Sequence, residues 1–416
     1  MNGNSSSQSK FRIAIIGSGP IGKLLACAAQ LPPRIELVQY EADVLPLRPS
    51  FGYGVGPQAL KAFNIANAEL GQKVRDQCLL GHSWMRWWHS GESDRQLADV
   101  QMPEGEVHGW IGRDELLELL DASMPQSTLP IQYGKRLTSV TKVGEQLELE
   151  FQGGYKDIVD AVWACEGINS LCRQAIQGPD HKPPLYSGML CFRGKVPAEY
   201  VRASLGDEFA TGQYMLIGTQ GWHILTFPIA AGAFINIAAF CVEHDWKQLR
   251  RDYKPTKDDI LAYFQRRNKT ADAILNMLID LTPGGCQRLE LMHLGQLGPF
   301  TNPELNITTF GDSANAMTPH MAGSMSTGII GVATFVQEWN KRAHALKSEA
   351  SHADIAFALA QASQAYEARH KPLAQNIVDA SLRQGEFGWS SGITDADTLT
   401  RPFHSLWAAA DKLELS

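Results

Sequence analysis

The glycines of Gly17-Ser18-Gly19-Pro20-Ile21-Gly22 are spaced so that a tight backbone turn can lie against a pyrophosphate, with the free N–H groups of a following helix aimed at its charge. About 20 residues on stands Glu41, an acceptor for a ribose 2′-hydroxyl and a poor neighbour for a 2′-phosphate. Together they read as a site for FAD or NAD rather than NADP. Far downstream, Ile307 to Phe310 runs into Gly311-Asp312, and a carboxylate at such a strand end can bind the ribityl hydroxyls of a flavin. Pro319 and the helix opening at Gly323, Ser324 and Met325 follow, placing a positive helix end where a flavin ring accumulates charge on reduction. A nicotinamide dinucleotide site calls for none of this second segment, so the pair favours flavin.

These groups need elements to hold them. Phe11 to Ile16 is an apolar strand-length run, Lys23 to Gln30 has helix-forming composition, and Ile35 to Tyr40 is a second strand, which makes strand, turn, helix, strand. Another strand, Ile158 to Cys165, ends in Glu166-Gly167 and turns into a helix. At 416 residues the chain exceeds a single core, and 44% apolar with 19% charged residues is globular, so two interlocked domains are expected. A net charge of -7 and a pI near 6.0 argue against a nucleic-acid partner, which needs a basic face that this chain does not advertise. The 7 cysteines form no CxxC pair, which fits a reducing, cytoplasmic setting rather than a disulfide framework or a metal cage. Met1 to Lys10 lacks the apolar core of a signal peptide and reads as a disordered lead-in, and the Leu413 to Ser416 end carries no prenylation or peroxisomal signal. Phe209 to Val242 carries no charge, but Gly212, Gly218, Gly221, Pro228 and Gly232 cut it into strand-length pieces, so it reads as buried sheet and not membrane.

Taken with Gly112-Arg113-Asp114-Glu115-Leu116, the three glycine-containing segments resemble, in order and spacing over about residues 10 to 345, the group A flavoprotein monooxygenases. That is the family of para-hydroxybenzoate hydroxylase and, closer in style, of salicylate hydroxylase-like enzymes. The resemblance implies FAD bound along its length, with Gly17, Gly19, Pro20, Ile21 and Gly22 at the pyrophosphate, Glu41 at the ribose, Arg113 at the diphosphate and Asp312 at the ribityl chain. Pro319, Gly323, Ser324 and Met325 would then border the ring. It implies NADPH or NADH as a transient reductant and O2 added as a flavin C4a-hydroperoxide. One oxygen atom would pass to a small aromatic substrate, a phenol or salicylate-like ring, or to a secondary metabolite. Met189 to Gly194 resembles the family's aromatic-Arg-Gly strand, which makes Arg193 a partner for a carboxylate or phenolate. Trp222 to Pro228 resembles a strand that ends in Tyr-Pro in relatives, with Phe227 where the hydroxyl would stand. His223 and Tyr214 are candidates to replace it. His320 is the candidate for proton handling, because an unperturbed imidazole titrates close to working pH. A helix-start salt bridge with Asp114 or Glu115 is the other reading of Arg113, and a solvent-facing edge position the other reading of Arg193.

The expected architecture is α/β. An FAD-binding Rossmann-like domain is built from the discontinuous segments 10–75, 100–180 and 285–345, a mixed β-sheet substrate domain from 76–99 and 181–284, and a C-terminal helical region covers 346–416. That last region is Ala-rich, contains Trp389, Phe403 and Trp407, and reads as a lid or a homodimer contact. Two features depart from the family. Glu166 stands for the usual aspartate, and Gly323 to Val332 lacks an acidic pair that relatives carry. They leave open a flavin oxidase or reductase, an epoxidase of the same fold, and a non-catalytic flavin-binding protein.

Overall fold

The computed structural model of the chain describes residues 9–44, 51–91, 95–125, 129–218, 221–245 and 255–387, with 401, 403, 404 and 406. Most of the N-terminal lead-in, Trp389, Trp407 and the Leu413 to Ser416 end lie outside the described residues.

Parallel strands covered on both faces must be apolar on both, and the strand Phe11–Ile16 is buried almost throughout. It sits inside a five-stranded sheet flanked by Ile35–Tyr40 and Ala161–Ala164, with Ile307–Thr309 beyond and the short antiparallel Thr301–Asn302 at the edge. Alternation divides its side chains between two cores. Ile13, Ile15, Leu37 and Trp163 join the core shared with the helices Pro20–Ala28, Gly323–Ala345 and His352–Phe387. Ala14, Ile16, Val38 and Val162 face a three-stranded antiparallel meander, Leu137–Val143, Gln146–Phe151 and Lys156–Val159.

A second, seven-stranded sheet runs in the order Gln287–His293, Leu185–Pro197, Phe234–Val242, Trp222–Ile229, Tyr214–Ile217, Ser83–His89, Arg95–Gln101. Two of these strands lie wholly or partly in segments that the sequence reading grouped with the other domain. Gln287–His293, grouped with the segment 285–345, pairs antiparallel with Leu185–Pro197, and Arg95–Gln101 crosses the boundary at 99 to complete the hairpin with Ser83–His89. The back of this sheet is packed by the helices Lys257–Ala262 and Lys269–Leu281 through Leu190, Phe192, Ile237 and Leu278. On its front, the paired strands Gly52–Val55 and His108–Gly112 lie against Trp222–Ile229.

The acid-free run Gly323 to Val332 is a packing surface. A Cβ on Gly328 would lie 2.7 Å from Ile21 Cδ1, and one on Gly331 only 2.8 Å from His370 Nε2, so the helix presses on both neighbours where it has no side chain. Ile329 and Ile330 are fully buried, a place where carboxylates would be desolvated. Further along, Phe403 packs on Trp84 with ring centroids 4.4 Å apart. Among the described residues, no helix is long and apolar enough to cross a membrane.

Candidate active site

The glycine turn is built by contact. Gly17 takes a positive φ of 102° and donates its N–H to Tyr40 O at 2.7 Å; a Cβ there would lie 2.3 Å from Cys165 O. At Gly22 a Cβ would meet Gly17 O at 2.2 Å, whereas nothing stands within 4 Å of the position above Gly19. So Gly17 and Gly22 close the turn on the protein side while Gly19 opens onto the cavity, ahead of a helix that starts at Pro20 with no side-chain cap to occupy its N–H groups. Glu41 holds the same turn. Its Oε2 accepts from Ser18 N at 2.8 Å and Ser18 Oγ at 2.9 Å, and its Oε1 from Asp43 N at 3.0 Å.

Two distant strand ends meet beside it. Gly167 N donates to Ser313 Oγ at 2.9 Å, and Arg173 Nη1 to Ser313 O at 3.1 Å, tying the Glu166-Gly167 turn to the Gly311-Asp312 turn. Glu166 has local work. Its Oε2 accepts from Ser170 Oγ at 2.6 Å and Cys172 N at 3.2 Å, and its Oε1 from Leu171 N at 3.2 Å, so the longer acid caps the helix Leu171–Gln177. Gly311 has a positive φ of 56° and delivers Asp312 to the cavity wall, with its carboxylate open to the cavity and Ser324 Oγ donating to it. Burial raises the Asp312 carboxyl above its ordinary range, against the Ser324 bond, which lowers it.

Arg113 opens the helix Arg113–Ala122 and lines the cavity. The acids beside it are engaged elsewhere. Glu115 Oε2 accepts from Gly112 N at 2.7 Å and Ala230 N at 3.2 Å, and Asp114 lies 3.8 Å from Lys195 Nζ. Tyr53, on the strand Gly52–Val55, lies against Arg113; burial raises its phenol pKa although Arg113 and Arg193 pull it down.

The front of the seven-stranded sheet forms a grid set by register. His223, Phe240, Cys191 and Leu289 make one row, Leu225, Ala238, Arg193 and Gln287 the next, and Phe227 with Asn236 a third. Arg193 is therefore turned inward and not to solvent. Its Nη2 donates to Gly52 O at 2.9 Å, its guanidinium lies over the Phe51 ring at 4.3 Å, and burial lowers its pKa. Tyr214 pairs with Thr226, so it falls on the opposite face, where it stacks on Phe209 at 4.2 Å and accepts from Arg86 Nη1 at 2.7 Å. That alternation removes its hydroxyl from the cavity.

His320, next to Pro319, is buried against the first row of the grid, with ring centroids 5.3 Å from His223 and 5.2 Å from Phe240. The expectation of an imidazole titrating near working pH is corrected here. Burial pushes His320 down to about 3 and holds His223 well below its ordinary value, with His320 adding to the effect, so both rings are neutral.

A cavity of about 970 Å³ is lined by Glu41, Asp43, Gly19, Arg113 and Asp312 together with Arg193, Phe240 and Leu291, whereas His223, His320 and Tyr214 do not line it. The sequence reading missed Tyr53, Asn236 and Cys191 on its walls. Of these only Asn236 left a signal, as a lone amide in the otherwise apolar strand Phe234–Val242.

No family model matches the chain. Among curated proteins, a dual trans-enoyl reductase/FAD-dependent monooxygenase of Aspergillus terreus is 27% identical over 391 residues, covering 91% of this chain, which spans only 55% of that relative's length. An FAD-dependent monooxygenase of Monascus ruber is 28% identical over 342 residues, 79% of this chain and 76% of the relative. A salicylate hydroxylase of Pseudomonas putida is 26% identical over 347 residues, again 79% and 76%. Among solved structures, a salicylate hydroxylase substrate complex shares the fold with a TM-score of 0.74 at 21% identity, covering 98% of this chain and 96% of that one. With its glycine turn and its two acid-bearing strand ends, the chain is similar in sequence to FAD-dependent monooxygenases and salicylate hydroxylases and shares the fold of salicylate hydroxylase.

Proposed function

We propose that the chain binds FAD along the whole cavity and, at the expense of NADPH or NADH, inserts one oxygen atom from O2 into a small aromatic substrate held on the seven-stranded sheet. The observation that carries this reading is the continuity of the cavity, in which a phosphate-binding turn and an apolar chamber share one space with Asp312 between them.

The residues present fit FAD. Gly19 leaves open room above an uncapped helix start for the pyrophosphate, Arg113 supplies a cation beside it, and Asp312 turns a carboxylate into the cavity where ribityl hydroxyls would lie. Glu41 keeps lone pairs for a ribose hydroxyl beyond those spent on Ser18 and Asp43. The helix start at Gly323, Ser324 and Met325, beside Pro319, presents backbone N–H groups to the ring. Bound there, FAD supplies electron transfer and the activation of O2.

The protein's own task is to place the substrate and keep water away. Phe227, Phe240, Leu225 and Leu291 form apolar walls, and Arg193 supplies the charge that orients a polar substrate group. His320 and His223, neutral through burial, pack against Phe240 without lining the chamber, so neither serves as a charged acid there. Purified protein mixed with FAD and a panel of phenols, salicylates and larger aromatic metabolites tests the proposal. Substrate-stimulated NAD(P)H oxidation with a product heavier by one oxygen atom is expected. Protein that takes up no flavin, or flavoprotein that no aromatic compound stimulates, overturns it.

A further inference from the structure

Asn236 is fully buried on the front face of the seven-stranded sheet, and its Oδ1 accepts the N–H of Gly52 at 3.1 Å. A backbone N–H can only donate, so this bond fixes which way the amide points. Nδ2 is consequently a donor turned away from Gly52, and among the described residues it has no hydrogen-bond partner. Arg193 pairs in register with Ala238, two residues along the same face from Asn236, and its Nη2 donates to the carbonyl of the same Gly52. The two side chains thus grip one residue from both sides. They hold the strand Gly52–Val55 against the chamber, at a point where a Cβ on Gly52 would lie 2.4 Å from the Phe227 ring.

The clamp leaves donors over. Nε of Arg193 is also without a partner among the described residues, and no carboxylate there forms an ion pair with the guanidinium, which rests on Phe51. A buried amide donor and a buried cation without a counter-charge are costly unless something in the same cavity completes them. Both residues line that cavity, where Leu225, Phe227, Ala238, Leu289 and Leu291 are apolar and the Tyr53 phenol and Cys191 thiol are the other polar groups near Arg193, neither of them a carboxylate.

We propose that Asn236 is a specificity-determining residue, which together with Arg193 binds a carboxylate on an otherwise apolar aromatic substrate. A carboxylate brings two acceptor oxygens and the missing negative charge, whereas a neutral amide of the same shape supplies only one acceptor. The assignment rests on the monooxygenase reading above for the nature of the chamber, though its test reads binding and not turnover.

The test is isothermal titration of FAD-loaded protein with salicylate and with salicylamide, a neutral compound of nearly the same shape. The wild type is expected to bind salicylate at least about tenfold more tightly, the size of effect a charge-assisted hydrogen bond carries. Asn236→Asp keeps an acceptor for the Gly52 N–H but replaces the free donor with a negative charge beside Arg193. It should weaken salicylate by about tenfold or more and salicylamide by no more than about twofold, with FAD retained. If that variant fails to load FAD, Asn236→Ala carries the same comparison, with the same loss of preference expected. A wild type that binds neither compound, or both equally, overturns the proposal, and so does a variant whose preference is unchanged. Wild-type protein that takes up no FAD would instead sink the monooxygenase reading, so the two failures are told apart.

Discussion

Arg193 and Asp312 are charged side chains that both line the cavity, and they should fail differently. Arg193→Ala removes the charge proposed to orient the substrate but leaves the glycine turn and Asp312 untouched. FAD should stay bound while kcat/KM falls by about tenfold to a hundredfold, the range for losing a hydrogen bond to a charged group. A kinetically silent Arg193→Ala, measured with an accepted substrate, would mean that the guanidinium only holds Gly52. Asp312→Ala should do the reverse. Its carboxylate is turned into the cavity and held by Ser324, so its loss should raise the dissociation constant for FAD by about tenfold or more, followed by flavin absorbance after gel filtration.

At the scale of elements, the site depends on turns that permit no side chain and on helix starts that need a cap. Gly17→Ala sets a Cβ against Cys165 O in a positive-φ conformation, and the strain of about 1–3 kcal/mol should lower the urea midpoint and loosen FAD together. Ser170 caps the helix Leu171–Gln177 through Arg173 N at 3.0 Å and also binds Glu166. Ser170→Ala should cost about 1 kcal/mol in denaturant titrations. FAD should remain bound, because the Gly17 turn and Asp312 do not depend on that cap.

Across the whole molecule, burial has set the charge state of several histidines at once. His108, His320 and His370 are each pushed down to about 3, and His223 is lowered as well, in every case chiefly by desolvation. An unfolded histidine titrates near pH 6.5, so between about pH 6.5 and 3 the unfolded chain binds more protons than the folded one. These groups therefore contribute full stability above about pH 6.5 and lose it progressively as the solution is acidified. Urea titrations from pH 8 to about pH 4 should show that fall. His370→Gln, remote from the substrate grid but stacked on Tyr366, should lessen its slope by about 1.4 kcal/mol per pH unit. An unchanged slope would mean that His370 is not held neutral.

The amino-acid sequence alone determined the cofactor end of the protein, because its signals are local. The glycines act within one turn, Glu41 follows the next strand, and Gly311-Asp312 closes another, so each can be read from a few consecutive residues. The proposed substrate end was decided by tertiary structure. Arg193 and Tyr214 both lie in apolar strands, yet register turns one into the cavity and the other onto Phe209, and a single-residue shift would exchange them. Asn236 shows as an odd amide in its strand, but its free Nδ2 exists only because Gly52, far away in the chain, occupies Oδ1. The neutral state of His320 and the pairing of Gln287–His293 likewise depend on partners distant in sequence, since strand register and desolvation arise only when separate segments close on one another.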